Sequence, residues 1–120
     1  MLRILAILFG VFFVIAGILG FIPDFTPQGK LLGIFAINPL HNIIHIATGI
    51  LALLSGLSSS SASKFFFIFF GLAYAVVAGF GFYYGEGILF NTMPLNIADN
   101  LLNAGIAIVS LYIGFAFSSK

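Results

Sequence analysis

Four long apolar stretches, each about twenty residues, alternate with short polar segments along this chain. A helix rises about 1.5 Å per residue, so roughly twenty apolar residues are needed to cross about 30 Å of hydrocarbon. The pattern therefore predicts four membrane-spanning helices. The predicted spans cover residues 4–22, 39–57, 65–84 and 95–117, with a short polar turn over residues 58–63 that makes the second and third helices antiparallel neighbours.

The ends of these stretches refine the prediction. The runs are apolar on every face, which excludes the alternating segments of a membrane barrel. Pro39 and Pro94 are predicted to lie in the first turns of helices two and four, where a missing N–H costs nothing, and Asn38 is the expected cap of helix two. A cleaved signal peptide is the alternative for the first stretch, whose apolar run is longer than the roughly 7–15 residues of a signal core.

Composition places most of the molecule in lipid. The 120 residues are 62% hydrophobic and 6% charged, whereas a soluble domain carries about 25% charged residues. The chain is too short and too apolar for more than one domain, so residues 1–120 are predicted to form an all-α integral membrane four-helix bundle. The lipid bilayer is the expected partner, and a second copy of the chain or another membrane protein stays open.

Charge and cysteine content exclude several functions. A net charge of +1 gives no electrostatic footprint for nucleic acid, and the absence of cysteine excludes disulfides and thiolate metal sites. Basic residues that flank membrane spans are retained in the cytoplasm, which predicts that both chain ends are cytoplasmic. The basic residues on that side are Arg3, Lys64 and Lys120, and the opposite side holds Asp24, Lys30, Glu86 and Asp99.

The two halves of the chain, residues about 1–57 and 64–117, resemble each other. Gly20 and Phe21 match Gly81 and Phe82, and the pair Pro39-Leu40 matches Pro94-Leu95. Each half is a helical hairpin that starts from the same side of the membrane. The sequence therefore predicts two parallel hairpin repeats related by a pseudo-two-fold axis along the membrane normal.

Polar residues interrupt the starts of helices two and four at matching positions. Residues three or four apart share a helix face, and polar side chains facing lipid would be costly. We therefore expect one inward-facing cluster between helices two and four, near the outer end of the bundle. Its members are His41, Asn42, His45 and Thr48 on helix two and Asp99, Asn100 and Asn103 on helix four.

These motifs resemble a bacterial membrane family grouped as domain of unknown function 4383. The family carries four predicted spans and an Asn-Pro-x-His-Asn pattern followed by His and Gly, which reads here as residues 38–42, His45 and Gly49. Its second pattern reads as Asp99-Asn100 and Asn103, where the family often has His, and Ala107, where it often has Gly. The resemblance implies a four-span protein of the bacterial inner membrane and implies no activity.

Three interpretations of the cluster remain open. It is a structural or interaction site that locks the two halves together through interhelical hydrogen bonds, which is the favoured prediction. It binds a small polar or anionic ligand at the positive ends of two helices. It holds a metal through His41, His45 and Asp99, which would form an open shell for zinc or iron. No catalytic residue and no other cofactor is predicted.

Overall fold

The computed structural model describes residues 1–27, 30–36, 39–84, 87–89, 93–95 and 97–118. The chain forms four long helices, and each is long and apolar enough to cross a membrane. They pack as a bundle, so the predicted all-α membrane fold is confirmed. The helices are α1 (Leu2–Leu19), α2 (Pro39–Ser58), α3 (Ser60–Tyr84) and α4 (Ile97–Ala116).

Two short antiparallel strand pairs lie in the connections between the helices at one end of the bundle. Strands β1 (Lys30–Leu31) and β2 (Phe35–Ala36) pair between α1 and α2. Strands β3 (Gly87–Leu89) and β4 (Met93–Leu95) pair between α3 and α4. Strand β2 contacts both β4 and α4, so the two connections meet above the bundle.

The placement predicted for Pro94 is wrong. Pro94 lies in β4 opposite Ile88, and α4 begins only at Ile97. A two-stranded sheet has two edges, and proline, which lacks an N–H, is tolerated on an edge strand. Pro39 does begin α2 as predicted, whereas the expected cap Asn38 lies outside the described residues.

The predicted polar turn over residues 58–63 is also wrong, because α3 begins at Ser60 and Ser59 alone separates it from α2. The Ser59 hydroxyl accepts a hydrogen bond from the Ala62 N–H at 3.0 Å. The buried Ser63 hydroxyl lies 2.9 Å from the Ser59 carbonyl and 3.1 Å from the Ser55 carbonyl. The serines therefore start a helix and satisfy its free backbone groups, instead of forming an open turn.

The helices form two helical hairpins, α1 with α2 and α3 with α4, and within each hairpin the two helices make contact at glycines. A Cβ added to Gly10 would lie 2.6 Å from the Gly49 carbonyl oxygen, and one added to Gly49 would lie 2.7 Å from the Gly10 oxygen. In the second hairpin, a Cβ on Gly71 would lie 2.8 Å from Cγ of Leu111. Small residues let membrane helices approach closely and gain dispersion contacts that lipid does not supply. Each hairpin is therefore a closely packed unit.

Aromatic side chains join the two hairpins at the end of the bundle opposite the strands. The Phe9 ring of α1 meets Phe66 and Phe67 of α3 edge to face, with centroids 5.7 and 5.5 Å apart. This edge-to-face geometry is the favoured one for aromatic pairs. Buried Ala6 and Ala52 complete this apolar core.

At that same end, a basic side chain from the first helix of each hairpin caps the second. The Arg3 guanidinium donates to the Gly56 carbonyl at 2.8 Å and to the Leu57 carbonyl at 2.9 Å. The Lys64 ammonium donates to the carbonyls of Gly114 and, at 2.8 Å, Phe117. A cation at a helix C-terminus satisfies free carbonyls and complements the helix dipole. The two caps occupy corresponding places, although the repeat relation itself stays a prediction.

Candidate functional site

The polar cluster is buried inside the bundle. It lies in the N-terminal halves of α2 and α4, toward the end that carries the strands. No member is more than 6% exposed, so these side chains avoid the lipid that surrounds the outer helix faces. The buried members are His41, Asn42, His45, Thr48, Asp99, Asn100 and Asn103.

The two asparagines each press against a glycine of their own hairpin. A Cβ on Gly20 would lie 2.0 Å from Oδ1 of Asn42, and one on Gly81 would lie 1.9 Å from Oδ1 of Asn100. Neither Oδ1 has a hydrogen-bond partner in the part of the chain that the structure describes. Each oxygen lies in the direction of a glycine Cα–H, the arrangement of the weak Cα–H···O contacts between helices. These side chains therefore fasten α1 to α2 and α3 to α4.

The two histidines lie between the hairpins. Their ring centroids are 4.5 Å apart, and Phe13 of α1 stacks on His45 at 5.5 Å with an interplanar angle of 16°. Phe13 thus covers one face of the His45 ring. Among the described residues, nothing hydrogen-bonds to the buried Nε2 of His45, and a buried polar atom without a partner costs about 1–3 kcal/mol.

Thr48 already has two partners. Its hydroxyl donates to the Ile44 carbonyl of its own helix at 2.8 Å. It also accepts a hydrogen bond from the hydroxyl of Tyr74 on α3 at 3.3 Å. Tyr74 was not among the predicted members of the cluster. Its place in the middle of an apolar run, away from the membrane interface where tyrosines collect, was a signal that its hydroxyl needs a partner. Thr48 therefore links α2 to α3.

Two cavities meet at the histidine pair. The larger, about 220 Å³, is bordered by α1, α2, α4 and the segment that begins at Leu31, and the smaller, about 140 Å³, by α2, α3 and α4. His41 and His45 border both cavities, Asp99 borders the larger one, and Asn103 the smaller. Thr48 and Tyr74 also border the smaller cavity, and the other lining residues of both cavities are apolar. The structure therefore brings five of the predicted site residues, Thr48 included, to the cavities and leaves Asn42 and Asn100 away from them.

The described residues contain no group of three or more His, Cys, Asp or Glu side chains that could hold a metal ion. His41, His45 and Asp99 border one cavity without forming such a group, so a metal site there stays a prediction from the sequence. The arrangement favours a different chemistry, in which an apolar molecule lies beside a few buried hydrogen-bonding groups.

Four apolar helices with their polar side chains buried between them define an integral membrane protein. The family comparison agrees with the sequence resemblance. The chain belongs to the family described as domain of unknown function (DUF4383), whose model matches residues 3–116. Comparisons with curated proteins and with solved structures found no match.

Proposed function

We propose that this chain is a multi-pass membrane protein that binds a small molecule inside its bundle, beside His41 and His45. The observation that carries the proposal is the position of His45. This side chain borders both cavities, and its Nε2 is buried without a hydrogen-bond partner among the described residues. If the ring turns toward either cavity, a ligand that hydrogen-bonds to this nitrogen would recover the cost of burying it.

The size and lining of the cavities support a ligand rather than water. A dry apolar cavity of about 150 Å³ binds benzene or xenon in another protein, and the larger cavity here measures about 220 Å³. A buried water needs about 2–4 polar partners, whereas the surface of the larger cavity is almost entirely apolar. An apolar molecule with one polar group matches this environment better.

A structural or interaction role for the whole cluster is the second candidate. It is supported by the contacts of Asn42 with Gly20 and of Asn100 with Gly81, and by the Tyr74–Thr48 hydrogen bond. These contacts hold helices together without a ligand. We assign the two asparagines to this structural role and reserve ligand binding for the residues that border the cavities.

The proposed setting is the bacterial inner membrane, with both chain ends in the cytoplasm and the cavities near the outer leaflet. Arg3 and Lys64, at the end opposite the strands, support this orientation through the positive-inside rule. Because the chain has no cysteine, single cysteines in place of Asp24 and Ser58 can report it. A membrane-impermeant thiol reagent should label Asp24→Cys in intact cells and leave Ser58→Cys unlabelled; the reverse pattern would overturn the orientation.

Binding can be tested by analysing what accompanies the purified protein. Ala16 borders the larger cavity, so Ala16→Phe should fill it. Ile18 on the same helix is 48% exposed and borders neither cavity, so Ile18→Phe adds the same ring outside. Mass spectrometry of organic extracts should find a small molecule near one per chain in the wild type and Ile18→Phe, and a clear loss in Ala16→Phe. If the wild type and both variants fold cooperatively and yield the same amount of the small molecule, the proposal is contradicted.

A further inference from the structure

We infer that the larger cavity receives an acyl chain of a bilayer phospholipid, which enters from the side between α1 and α4 and is covered at one end by Leu32. This inference rests on the proposed function, because it names the class of molecule that occupies the site and the route by which it arrives. Three observations support it: where the cavity opens, how far it extends along the helices, and which residue lies in the turn beside it.

The larger cavity opens on the outer surface of the bundle. Three of the side chains that border it are more than half exposed, Phe12 at 61%, Ile15 at 51% and Leu32 at 56%. Both α1 and α4 border it, and among the described residues these two helices make little contact with each other. Since both are long and apolar enough to span a membrane, the opening between them faces hydrocarbon.

The cavity extends along one leaflet of the bilayer. Its α1 lining runs from Phe12 to Leu19, which is about 10 Å of helix at 1.5 Å per residue, and it continues to Leu31 near the end of the bundle that carries the strands. One leaflet supplies about half of the roughly 30 Å of hydrocarbon. An acyl chain in this cavity would therefore keep its headgroup at the membrane surface, and the chain itself needs no hydrogen bond from the walls.

The turn between β1 and β2 carries an unfavourable residue beside the cavity. Leu32 and Gly33 form its centre with φ of 56° and 74°, and the Ile34 N–H donates to the Leu31 carbonyl at 3.0 Å. A turn with positive φ at both central positions favours Asn, Asp or Gly at the first of them, and leucine there costs conformational energy. An exposed apolar side chain thus borders the cavity although the turn disfavours it, as expected if it packs on a hydrocarbon chain.

The absence of tryptophan from the chain allows an optical test. Phe13→Trp places a fluorophore in the buried wall of the larger cavity. Phe67→Trp is the matched control, because Phe67 is equally buried and belongs to the aromatic core at the opposite end. Each protein is reconstituted in vesicles of phosphatidylcholine with brominated acyl chains, since bromine quenches tryptophan only at short range. Phe13→Trp should lose more of its emission than Phe67→Trp, relative to vesicles without bromine.

Three further changes in the Phe13→Trp protein test the site. Ala16→Phe fills the cavity and should reduce the quenching to the level of Phe67→Trp, whereas Ile18→Phe, outside the cavity, should leave it unchanged. Leu32→Asn suits the turn better and removes the apolar cover, so the quenching should fall while the unfolding temperature does not. Because Leu32→Asn adds nothing to the packed interior, it keeps the test decisive if Ala16→Phe prevents folding.

The outcomes separate this inference from the proposed function. Equal quenching of Phe13→Trp and Phe67→Trp in folded protein, or quenching that neither Ala16→Phe nor Leu32→Asn reduces, would overturn the inference. If organic extracts nevertheless lose a molecule in Ala16→Phe, the lipid class is wrong and the ligand site stands. If the extracts show no loss either, the proposed function fails as well.

Discussion

The two helical hairpins of this protein share the contacts that hold their helices together and differ in the polar side chains that they place in the bundle interior. In both, an asparagine of the second helix presses against a glycine of the first, Asn42 on Gly20 and Asn100 on Gly81. In both, a basic side chain at the start of the first helix caps the carbonyls at the end of the second. The shared contacts are those that fix how far apart two backbones lie.

The differences lie toward the interior. The first hairpin contributes His41 and His45, where the matching positions of the second carry Asp99 and Asn103. Each pair borders the cavities, but only the first contains histidine. Similar contacts within the two hairpins thus surround a site whose side chains differ, so contacts between helices and contacts with the cavities should be separable by mutation.

The largest effect should come from the closest backbone contact. The first hairpin has Gly49 where the second has Ala107, and a Cβ on Gly49 would lie 2.7 Å from the Gly10 oxygen and 2.8 Å from the Val14 nitrogen. Since backbone atoms cannot move aside singly, Gly49→Ala should lower the free energy of unfolding by about 1–3 kcal/mol or more. Reversible unfolding in mixed micelles would measure it.

Ala107→Gly is the matched control in the second hairpin. Ala107 is buried, so its loss costs about 1 kcal/mol through helix propensity and lost packing. The double variant exchanges the two residues between the hairpins, and its free energy of unfolding should not return toward that of the wild type. If Gly49→Ala were as stable as the wild type, the close crossing of α1 and α2 would be wrong.

The next effect should come from the glycines beneath the asparagines. Gly20 has helical backbone angles, φ −63° and ψ −19°, so alanine is permitted there and only the Asn42 side chain opposes it. Because that side chain can rotate away, Gly20→Ala should cost about 1–2 kcal/mol, and Gly81→Ala a similar amount.

A double-mutant cycle shows whether the glycine and the asparagine act as a pair. Gly20→Ala with Asn42→Ala should be less destabilising than the sum of the single changes, since residues in contact couple by about 0.5–3 kcal/mol. Gly20→Ala with Asn100→Ala should be additive, because the two residues belong to different hairpins. Equal coupling in both cycles would mean that the asparagines act across the bundle, as the sequence alone led us to expect.

The sequence predicted the helices well because each span is set by one local quantity, the length of its apolar run. It failed where polar residues had two structural uses. The serines after Leu57 are typical of a turn, but the Ser59 hydroxyl caps the start of α3 and the Ser63 hydroxyl donates a hydrogen bond to the Ser59 carbonyl. Pro94 suits the first turn of a helix and also an edge strand, and the pairing with β3 is not visible locally.

The burial of the polar cluster was predictable from the sequence, and its contacts were not. Periodicity placed His41, His45, Asp99 and Asn103 on inward faces, where burial is observed. The partners of Asn42 and Asn100 were not predictable, because nothing in the sequence around Gly20 or Gly81 indicates which side chain of the next helix will contact it. The cavities likewise arise where large side chains from three helices leave gaps between them, and no sequence pattern encodes such gaps.

The smallest effect should come from Tyr74, the residue of the second hairpin that lies where the first has Phe13. Tyr74→Phe removes the 3.3 Å hydrogen bond to Thr48 and keeps the ring contact with Phe13 at 5.7 Å. Thr48 retains its bond to the Ile44 carbonyl, so no group that depended on Tyr74 is left unsatisfied. Interhelical hydrogen bonds in membranes average about 0.6 kcal/mol, and this long one should contribute no more.

The reverse change sharpens the contrast. Phe13→Tyr adds a hydroxyl to the ring that stacks on His45, and the second hairpin carries Ile106 at the sequence position that matches Thr48. Leaving that hydroxyl buried without a partner should cost about 1–3 kcal/mol, more than Tyr74→Phe. If instead Tyr74→Phe proved the more costly of the two in the same unfolding measurement, the tyrosine hydroxyl would have a second partner. A ligand in the smaller cavity, which Tyr74 borders, would be the first candidate for that partner.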